Sequence, residues 1–406
     1  MDYFLIVADD LTGANDTGVQ IRRRGIPTSV VFSSKLITGQ DSCVLDTESR
    51  GFSDKDAFDR VSGEIASIPF EKFAYVMKKV DSTLRGKMGS ETKAIDTHFK
   101  SELIICAPAL PDLGRTTVDK IHLLNGVPVS QTEIARDPKA PVTEDNIHKL
   151  MSASFDEPVV HIGLDAVRSG NIPLEKGRIF TFDAASNEDM RNIILAALGT
   201  KKRVLWVGTA AMADNLLSIK DPIPPALAVV GSLSSVSRGQ VLYAEKQGIQ
   251  LVKVPMYDVL EKKIKLEDIV AQVVGLLKSG KDALLHSAST YSADELKKSN
   301  DAAARQNMAI EALSLFTQKT LGQLIGQILN EVTVSGLFLT GGDTAMSFFE
   351  VAESSGSSIT TEIAVGIPLM RLRGGRFEGL KIVTKAGAFG KEDALFYGLR
   401  KLKEAD

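Results

Sequence analysis

The sequence reads Lys79-Val80-Asp81-Ser82-Thr83-Leu84-Arg85-Gly86 between two stretches of different periodicity. The apolar run before it, residues 73–77, is typical of a buried strand, and residues 87–99 alternate at helical spacing. In open α/β sheets, ligands bind beyond the carboxyl ends of the strands. This polar connection therefore predicts one wall of a site for a small, anionic, hydroxyl-rich ligand. The alternative is a solvated loop in which Asp81 or Ser82 caps the following helix.

Short apolar runs alternate with helical patterns along both halves of the chain. In the first half, strands are predicted at residues 4–8, 28–32, 42–45, 73–77, 103–107, 159–162, 178–182 and 204–207. In the second half, they are predicted at residues 226–230, 251–254, 283–286, 336–340, 359–365 and 380–385. This alternation predicts an α/β fold with two domains, each a mainly parallel sheet flanked by helices. Residues 114–141 are less regular and predict an insertion that carries a hairpin.

The domain boundary is predicted from length and proline content. At 406 residues the chain exceeds the size at which a single core usually stops growing. Three of its 14 prolines fall in Asp221-Pro222-Ile223-Pro224-Pro225, and proline is excluded from central strands and helix interiors. We therefore predict domains at residues 1–222 and 226–406. A proline-rich loop within one domain is the alternative.

Composition excludes several classes of protein. The net charge is −3, and basic residues are interspersed with acids, which argues against a general nucleic-acid binder. No apolar stretch reaches transmembrane length, and the first residues lack the pattern of a signal peptide. Cys43 and Cys106 are the only cysteines, so neither a disulfide framework nor a thiolate metal site is indicated. We expect a cytoplasmic protein with no membrane or nucleic-acid partner.

Three turns in the second half share one pattern, in which a predicted strand is followed by small residues and then a helix. They are residues 231–235, 341–344 and 387–390. Glycine lets the backbone approach a ligand closely, and the free N–H groups at a helix N-terminus favour anions. Three such turns in one domain predict a nucleotide-phosphate site. Asp343 would hold Mg²⁺ there, or it would only cap a helix.

Charged clusters follow three predicted strands of the first half. Asp9 and Asp10 follow the first strand, Arg50 lies in the cluster after the third, and the 79–86 stretch follows the fourth. If the strands are parallel, all three clusters meet at one edge of the sheet. Arg50 and Arg85 would then clamp a carboxylate, and Asp9 or Asp10 would bind ligand hydroxyls. The pattern predicts a hydroxy-acid pocket, with helix capping by the two acids as the alternative.

These stretches together resemble the four-carbon acid sugar kinase family over nearly the whole chain. The other matching segments are Ala107-Pro108-Ala109, Gly114-Arg115-Thr116, Pro141-Val142, residues 340–345 and residues 385–390. The resemblance implies an N-terminal sugar-binding domain and a C-terminal nucleotide-binding domain. It also implies phosphorylation, by ATP, of the terminal hydroxyl of threonate, erythronate or 3-oxo-tetronate.

The resemblance also implies roles for individual residues. In the first half, the residues facing the sugar acid would be Asp9, Asp10, Arg50, Lys79, Asp81, Ser82 and Arg85. In the second half, those facing ATP would be Ser232, Ser234, Gly341, Gly342, Asp343, Thr344 and Gly387. Asp10 or Asp81 would orient or deprotonate the attacking hydroxyl. Lys79, and Mg²⁺ at Asp343, would offset charge on the transferred group.

Two features bear on the branch of the family. The 79–86 loop, like Gly341-Gly342-Asp343, is similar to the threonate and erythronate branch, whereas the 3-oxo-tetronate branch carries a Cys-Ser-Thr-Phe-Asp loop. Lys87 and Met88 depart from the small polar residue more usual there. We therefore expect a D-threonate or D-erythronate kinase that works across an interdomain cleft. A homo-oligomer is compatible with the sequence. The alternatives are a 3-oxo-tetronate 4-kinase, a non-catalytic sugar-acid sensor, and a phosphatase or aldolase that needs no nucleotide.

Overall fold

The computed structural model describes residues 2–405 and separates into two compact units. The N-terminal unit extends to Pro222 and includes Ala405, and the C-terminal unit spans Ile223–Glu404. The division falls inside the proline-rich segment at residues 221–225. No helix among residues 2–405 is both long enough and apolar enough to cross a bilayer.

The N-terminal unit is built from alternating strands and helices. Its strands are β1 (Phe4–Ala8), β2 (Thr28–Val31), β3 (Ser42–Asp46), β4 (Tyr75–Lys79), β5 (Leu103–Ala107), β6 (Arg115–Val118), β7 (Ile121–Leu124), β8 (Val127–Pro128), β9 (Val159–Ile162), β10 (Ile179–Phe182) and β11 (Val204–Gly208). Its helices are α1 (Leu11–Arg22), α2 (Asp54–Ile65), α3 (Met88–Phe99), α4 (Ile147–Ser152), α5 (Leu164–Ser169), α6 (Asn187–Gly199) and α7 (Ala210–Lys220).

Eight of these strands form one parallel sheet in the order β2-β3-β1-β4-β11-β5-β10-β9. Strand β1 pairs with β3 on one side and β4 on the other, with Ala8 opposite Asp46 and Val7 opposite Lys78. The sheet is covered on both faces, so β1, β3, β4 and β5 are buried throughout. The loops after β3, β1 and β4 are therefore neighbours at the carboxyl edge of the sheet.

The irregular segment at residues 114–141 carries a small antiparallel sheet, β6-β7-β8, in place of the single hairpin expected. His122 on β7 is fully buried, accepts a hydrogen bond at Nδ1 from Thr117 and donates from Nε2 to the carbonyl of Ser82, 3.0 Å away. Burial lowers the pKa of His122 to about 4. The neutral imidazole of His122 thus links the inserted sheet to the 79–86 loop through the Ser82 carbonyl.

The C-terminal unit repeats the alternation of strands and helices. Its strands are β12 (Leu227–Val230), β13 (Gln250–Val254), β14 (Ala283–Ser287), β15 (Leu337–Thr340), β16 (Gly356–Ala364), β17 (Ile367–Arg373) and β18 (Lys381–Lys385). Its helices are α8 (Ser235–Lys246), α9 (Met256–Leu260), α10 (Leu266–Lys278), α11 (Ala288–Tyr291), α12 (Ala293–Arg305), α13 (Ile310–Glu331), α14 (Gly342–Val351) and α15 (Ala394–Leu402).

The second sheet has the order β13-β14-β12-β15-β18-β17-β16. Its first five strands are parallel, while β16 and β17 form an antiparallel hairpin at the edge. Strand β17, which contains Pro368, was not among the predicted strands, and only residues 359–365 of this hairpin were predicted as a strand. Strands β12, β15 and β18 are adjacent and parallel. The three turns singled out in the sequence therefore follow three neighbouring strands.

Candidate active site

Asp81 organises the 79–86 loop around its own carboxylate. Its Oδ2 accepts hydrogen bonds from the backbone N–H groups of Thr83 (3.0 Å) and Arg85 (3.3 Å), from the Thr83 hydroxyl and from Arg85 Nε. Its Oδ1 accepts from Arg85 Nη2 at 3.0 Å. The alternative, in which Asp81 or Ser82 caps the next helix, is not observed, because α3 begins at Met88 and its N-cap, Lys87, makes no side-chain capping bond.

The surroundings of Asp81 keep it ionised. Burial alone would raise its pKa, but the hydrogen bonds from Arg85 and Thr83 and the charges of Arg85 and Arg50 hold that pKa well below its ordinary value. The carboxylate already accepts five hydrogen bonds from its own loop. Asp81 is therefore suited to fixing the direction of Arg85 more than to receiving a proton.

Arg50 joins the loops after β1, β3 and β4. Its Nε donates to Asp9 Oδ2 at 2.8 Å, and its Nη1 and Nη2 donate to the two oxygens of Asp10, both at 2.7 Å. Arg50 Nη2 also lies 3.7 Å from Asp81 Oδ1. The predicted meeting of three clusters at one sheet edge is thus observed, with Arg50 occupied by protein carboxylates. Asp10 also caps α1 by accepting from the Gly13 N–H.

Lys79, the last residue of β4, is a buried cation beside these acids. It is 4% exposed, and its Nζ donates to the carbonyl of Val80 at 2.9 Å. Burial lowers the pKa of Lys79 against the opposing charges of Asp9 and Asp81. A Cβ on Gly13 would lie 3.0 Å from Lys79 Nζ and 2.6 Å from Asp10 Oδ1. Only glycine therefore lets the first turn of α1 lie this close to the two charged side chains.

Ser82 and Arg85 are the more accessible members of the cluster. Ser82 is half-buried, and its hydroxyl makes no hydrogen bond within residues 2–405. The Arg85 side chain is 30% exposed, whereas that of Arg50 is 10% exposed. Of the predicted sugar-acid residues, these two and Asp10 present polar atoms outward.

Sequence reasoning missed several residues that support this cluster. Asp137, from the inserted segment, accepts a hydrogen bond from Arg85 Nη1 at 3.2 Å. Lys78 and Glu91 form a fully buried ion pair of 2.6 Å, and Ser49 donates to Glu91 at 2.6 Å, which ties the loop of Arg50 to α3. The available signal for Lys78 was its position directly after the apolar run of residues 73–77. Nothing local indicated the partner of Arg85.

Gly86 closes the loop in a conformation that other residues rarely adopt. Its φ is +95°, in the left-handed region. A Cβ at this position would lie 2.6 Å from Asp9 Oδ2, which Arg50 holds in place. Glycine is therefore required where the loop passes the buried acid.

In the C-terminal unit, the three turns contact one another beyond the ends of β12, β15 and β18. A Cβ on Gly231 would lie 2.3 Å from Thr344 Oγ1, and one on Gly387 would lie 2.3 Å from Ser232 Oγ. Gly341, before α14, has a φ of +103°. A cavity of about 320 Å³ opens beside the first two turns. Its lining includes Ser232, Thr317, Gln318, Gly341, Asp343 and Thr344.

Two details of these turns differ from expectation. The sequence pattern predicted a helix directly after each turn, but α15 begins at Ala394, so the 387–390 turn does not lead directly into a helix. Ser234 caps α8 through the Ser237 N–H and donates its hydroxyl to the carbonyl of Gly387 at 2.6 Å. Ser234 therefore holds two turns together.

Asp343 is an exposed acid in the first turn of α14. Its Oδ2 accepts a hydrogen bond of 3.2 Å from Gln318, and the residue lines the cavity. No group of three or more potential metal-ligating acids, histidines or cysteines occurs in the part of the chain that the structure describes. A lone carboxylate fits Mg²⁺ that is held mainly by water and phosphate oxygens, and it does not fit an all-protein metal site.

Comparison with known proteins covers both units. A family model described as a sugar-binding N-terminal domain matches residues 4–216, and one described as a nucleotide-binding C-terminal domain matches residues 227–395. A D-threonate kinase of Salmonella typhimurium is 31% identical over 97% of each chain. A D-erythronate kinase of Heliobacterium modesticaldum is 28% identical over 97% of this chain and 95% of its own.

A solved structure shows a similar fold. It is a protein of Bordetella bronchiseptica, described as a domain of unknown function with bound citrate in a domain-swapped dimer. It is 25% identical, covers 99% of both chains and superposes with a TM-score of 0.61.

Proposed function

Since the chain belongs to the four-carbon acid sugar kinase family, we propose that it transfers the γ-phosphoryl group of ATP to the terminal hydroxyl of D-threonate or D-erythronate. The observation that carries the proposal is the Arg50-centred cluster of Asp9, Asp10 and Asp81 at the carboxyl edge of the first sheet. It offers fixed charges of both signs to a ligand that has one carboxylate and several hydroxyls.

The substrate carboxylate is assigned to Arg85. Of the three cations here, its side chain is the most accessible, and Asp81 and Asp137 hold its guanidinium in one orientation. A guanidinium fork matches a carboxylate in a bidentate arrangement. Asp10 and Ser82 are assigned to the hydroxyls, because each presents an accessible oxygen in the cluster. Asp9, buried and bound to Arg50, acts by fixing Arg50.

Asp10 is the better candidate of the two for accepting the proton of the attacking hydroxyl. Its carboxylate receives three hydrogen bonds, from Gly13 and from two nitrogens of Arg50, whereas that of Asp81 receives five. An ionised carboxylate offers about four lone-pair positions, so Asp10 retains room for a substrate hydroxyl. Lys79, buried near both acids, is suited to offset charge on the transferred group.

ATP is assigned to the C-terminal unit. Ser232, Gly341 and Thr344 line the cavity where the phosphates would lie, Gly342 follows Gly341, and Gly387 lies against Ser232. Asp343 would hold Mg²⁺, which neutralises phosphate charge when bound. Phosphoryl transfer depends mainly on positioning and electrostatic stabilisation, so this unit has to present the γ-phosphate in line with the acceptor hydroxyl.

The Asp81–Arg85 pair favours a threonate-like acid over the 3-oxo acid, because both of its members belong to the loop form of the threonate and erythronate branch. The relatives with 28–31% identity described above carry threonate and erythronate kinase names, in agreement with this choice.

The proposal is tested by ADP release with a panel of four-carbon acids. D-threonate, D-erythronate, their enantiomers and 3-oxo-tetronate are each supplied with MgATP. We expect turnover with D-threonate or D-erythronate in the wild type and a loss of turnover in Asp10→Asn. Binding of a four-carbon acid with neither ATP binding nor turnover would favour a sensor, and turnover without nucleotide would favour a phosphatase or aldolase. Either result overturns the proposal.

A further inference from the structure

Lys385, the last residue of β18, is a buried cation with no acidic partner in the part of the chain that the structure describes. It is 2% exposed, and its Nζ donates to the carbonyls of Ala386 (2.9 Å), Gly387 (3.1 Å) and Phe389 (3.1 Å). An ammonium has three N–H donors, so main-chain oxygens take all of them. The side chain is thus fully hydrogen-bonded, but its charge is not neutralised.

Helix α8 holds the same turn from the same side. Ser234 and Ser237 donate their hydroxyls to the carbonyl of Gly387, at 2.6 and 2.9 Å. Gln240 Nε2, which has two N–H donors, lies within hydrogen-bonding distance of the carbonyls of Phe389 (3.0 Å), Gly390 (3.3 Å) and Lys391 (2.8 Å). Five carbonyls in residues 386–391, here called the 386–391 turn, are therefore directed at Lys385 and α8.

This arrangement fixes the direction of the N–H groups. In a trans peptide unit the C=O and the N–H of the next residue point in opposite directions. Because the carbonyls of Ala386, Gly387 and Phe389 face Lys385, the N–H groups of Gly387, Ala388 and Gly390 face away from it. None of these three N–H groups has a hydrogen-bond acceptor within residues 2–405, whereas the N–H of Phe389 between them donates to the carbonyl of Ala386 at 3.1 Å. Neighbouring N–H groups that point the same way, as those of Gly387 and Ala388 do, form a concave site for an anion.

Lys385 would supply a positive charge that the cavity lining itself lacks. Among the described residues that line the cavity there is no lysine or arginine, and Asp343 is acidic. Lys79 in the other unit has the same position at a strand end and donates to the next carbonyl, but four acids neutralise it. Burial lowers the pKa of Lys385 to about 8, and a buried cation without a counter-ion is costly. An anionic ligand would supply the missing counter-charge.

We propose that Lys385 is a positioning residue that holds the 386–391 turn as a binding site for the terminal phosphates of the nucleotide. It acts through the carbonyls it binds, which turn the N–H groups of Gly387, Ala388 and Gly390 toward the phosphates, and through its own charge behind the turn. Gln240 and Ser237, on α8, bind carbonyls of the same turn and hold it in the same conformation. The inference rests on the proposed assignment of ATP to this unit.

The test is calorimetric titration of the full-length protein with MgADP. We expect Lys385→Met to weaken MgADP binding by about 10-fold or more, the loss of one charged hydrogen-bonding group, while binding of the four-carbon acid stays within about twofold. Lys385→Arg restores a charge and donors and should recover part of the affinity. Lys246→Met, which removes an exposed lysine of the same unit, is the matched control and should leave MgADP binding unchanged.

A pH series separates this role from a purely structural one. The wild-type dissociation constant for MgADP should rise as the pH passes about 8, because Lys385 loses its charge, and it should stay flat in Lys385→Arg. The side chains that face Lys385 from α8 and β15, namely Ser234, Ser237, Gln240 and Thr340, do not titrate in this range.

The outcomes are distinct. If Lys385→Met folds and binds MgADP within about twofold of the wild type, the inference is wrong although the proposed function stands. If the wild type binds no nucleotide, the proposed function itself fails. If Lys385→Met does not fold, Gln240→Leu replaces it: weakened MgADP binding supports the inference, and unchanged binding overturns it.

Discussion

Arg50 holds both carboxylate oxygens of Asp10 at 2.7 Å while its Nε binds Asp9 at 2.8 Å. One guanidinium thus fixes two consecutive acids at the end of β1, from a loop that follows the neighbouring strand β3. The arrangement leaves Asp10 oriented and 17% exposed at its side chain, as a proton acceptor at a sheet edge requires.

Arg50→Lys tests whether this fork orients the acids. An ammonium cannot bind Asp9 and Asp10 with the same paired geometry, so we expect kcat/KM for the sugar acid to fall by about 100-fold, with KM for ATP unchanged. Steady-state kinetics with each substrate varied in turn checks this. Arg22→Lys, at an exposed position of α1, is the control. Unchanged kcat/KM in Arg50→Lys would show that Asp10 needs no such support.

Asp10→Asn and Asp81→Asn separate the two candidate bases. If Asp10 accepts the proton, its amide variant should lose about 100-fold or more in kcat with little change in KM. Asp81→Asn removes the charge of one of the two acids that hold Arg85, so its main effect should be a higher KM for the sugar acid. The reverse pattern, with kcat lost mainly in Asp81→Asn, would transfer the role of base to Asp81.

Gly341→Ala tests whether the 341–344 turn binds the nucleotide. A side chain at a φ of +103° strains the backbone at the start of α14, at a cost of about 1–3 kcal/mol. We expect KM for ATP to rise by about 10-fold while KM for the sugar acid stays the same. The control is Gly239→Ala, inside α8, where a Cβ meets nothing within 4 Å. Equal kinetics in the two variants would argue against a nucleotide at this turn.

The pKa of His122 gives the N-terminal unit a pH dependence of known sign. The folded protein keeps His122 neutral down to about pH 4, whereas the unfolded chain takes up the proton near its ordinary pKa of 6.5. Stability is therefore complete above pH 6.5 and falls by up to about 3 kcal/mol as the pH drops to 4. Urea unfolding, followed by the fluorescence of Trp206, measures this change.

His122→Gln should flatten the dependence between pH 6.5 and 4, whereas His98→Gln, at a half-buried position beside Ser62, should retain it. Trp206 is the sole tryptophan and lies buried in the same unit, so its fluorescence reports on this unit. A His122→Gln protein that loses as much stability on acidification as the wild type would contradict the assignment.

The fold, the charged cluster of the N-terminal unit and the three turns of the C-terminal unit could be predicted from sequence because the features that determine them are local. Unbroken apolar strands such as β1 predict a covered parallel sheet, and polar residues after consecutive strands then have to share its carboxyl edge. What sequence could not give were long-range pairings. Asp137 reaches Arg85 from an insertion 52 residues away, and Lys385 uses carbonyls whose direction depends on α8. The alternative role of Asp81 as a helix cap is not observed, because its carboxylate accepts hydrogen bonds from its own loop and α3 begins only at Met88.

Phosphorus NMR of the product identifies the hydroxyl that receives the phosphoryl group. Wild-type protein, MgATP and D-threonate or D-erythronate are incubated, and the new phosphate ester is observed without proton decoupling. Transfer to the terminal hydroxyl joins phosphorus through oxygen to a CH₂ group, so we expect a triplet, or a doublet of doublets, from coupling to two protons. A doublet would mean transfer to a secondary hydroxyl, and the absence of any ester signal with every four-carbon acid would contradict the kinase assignment.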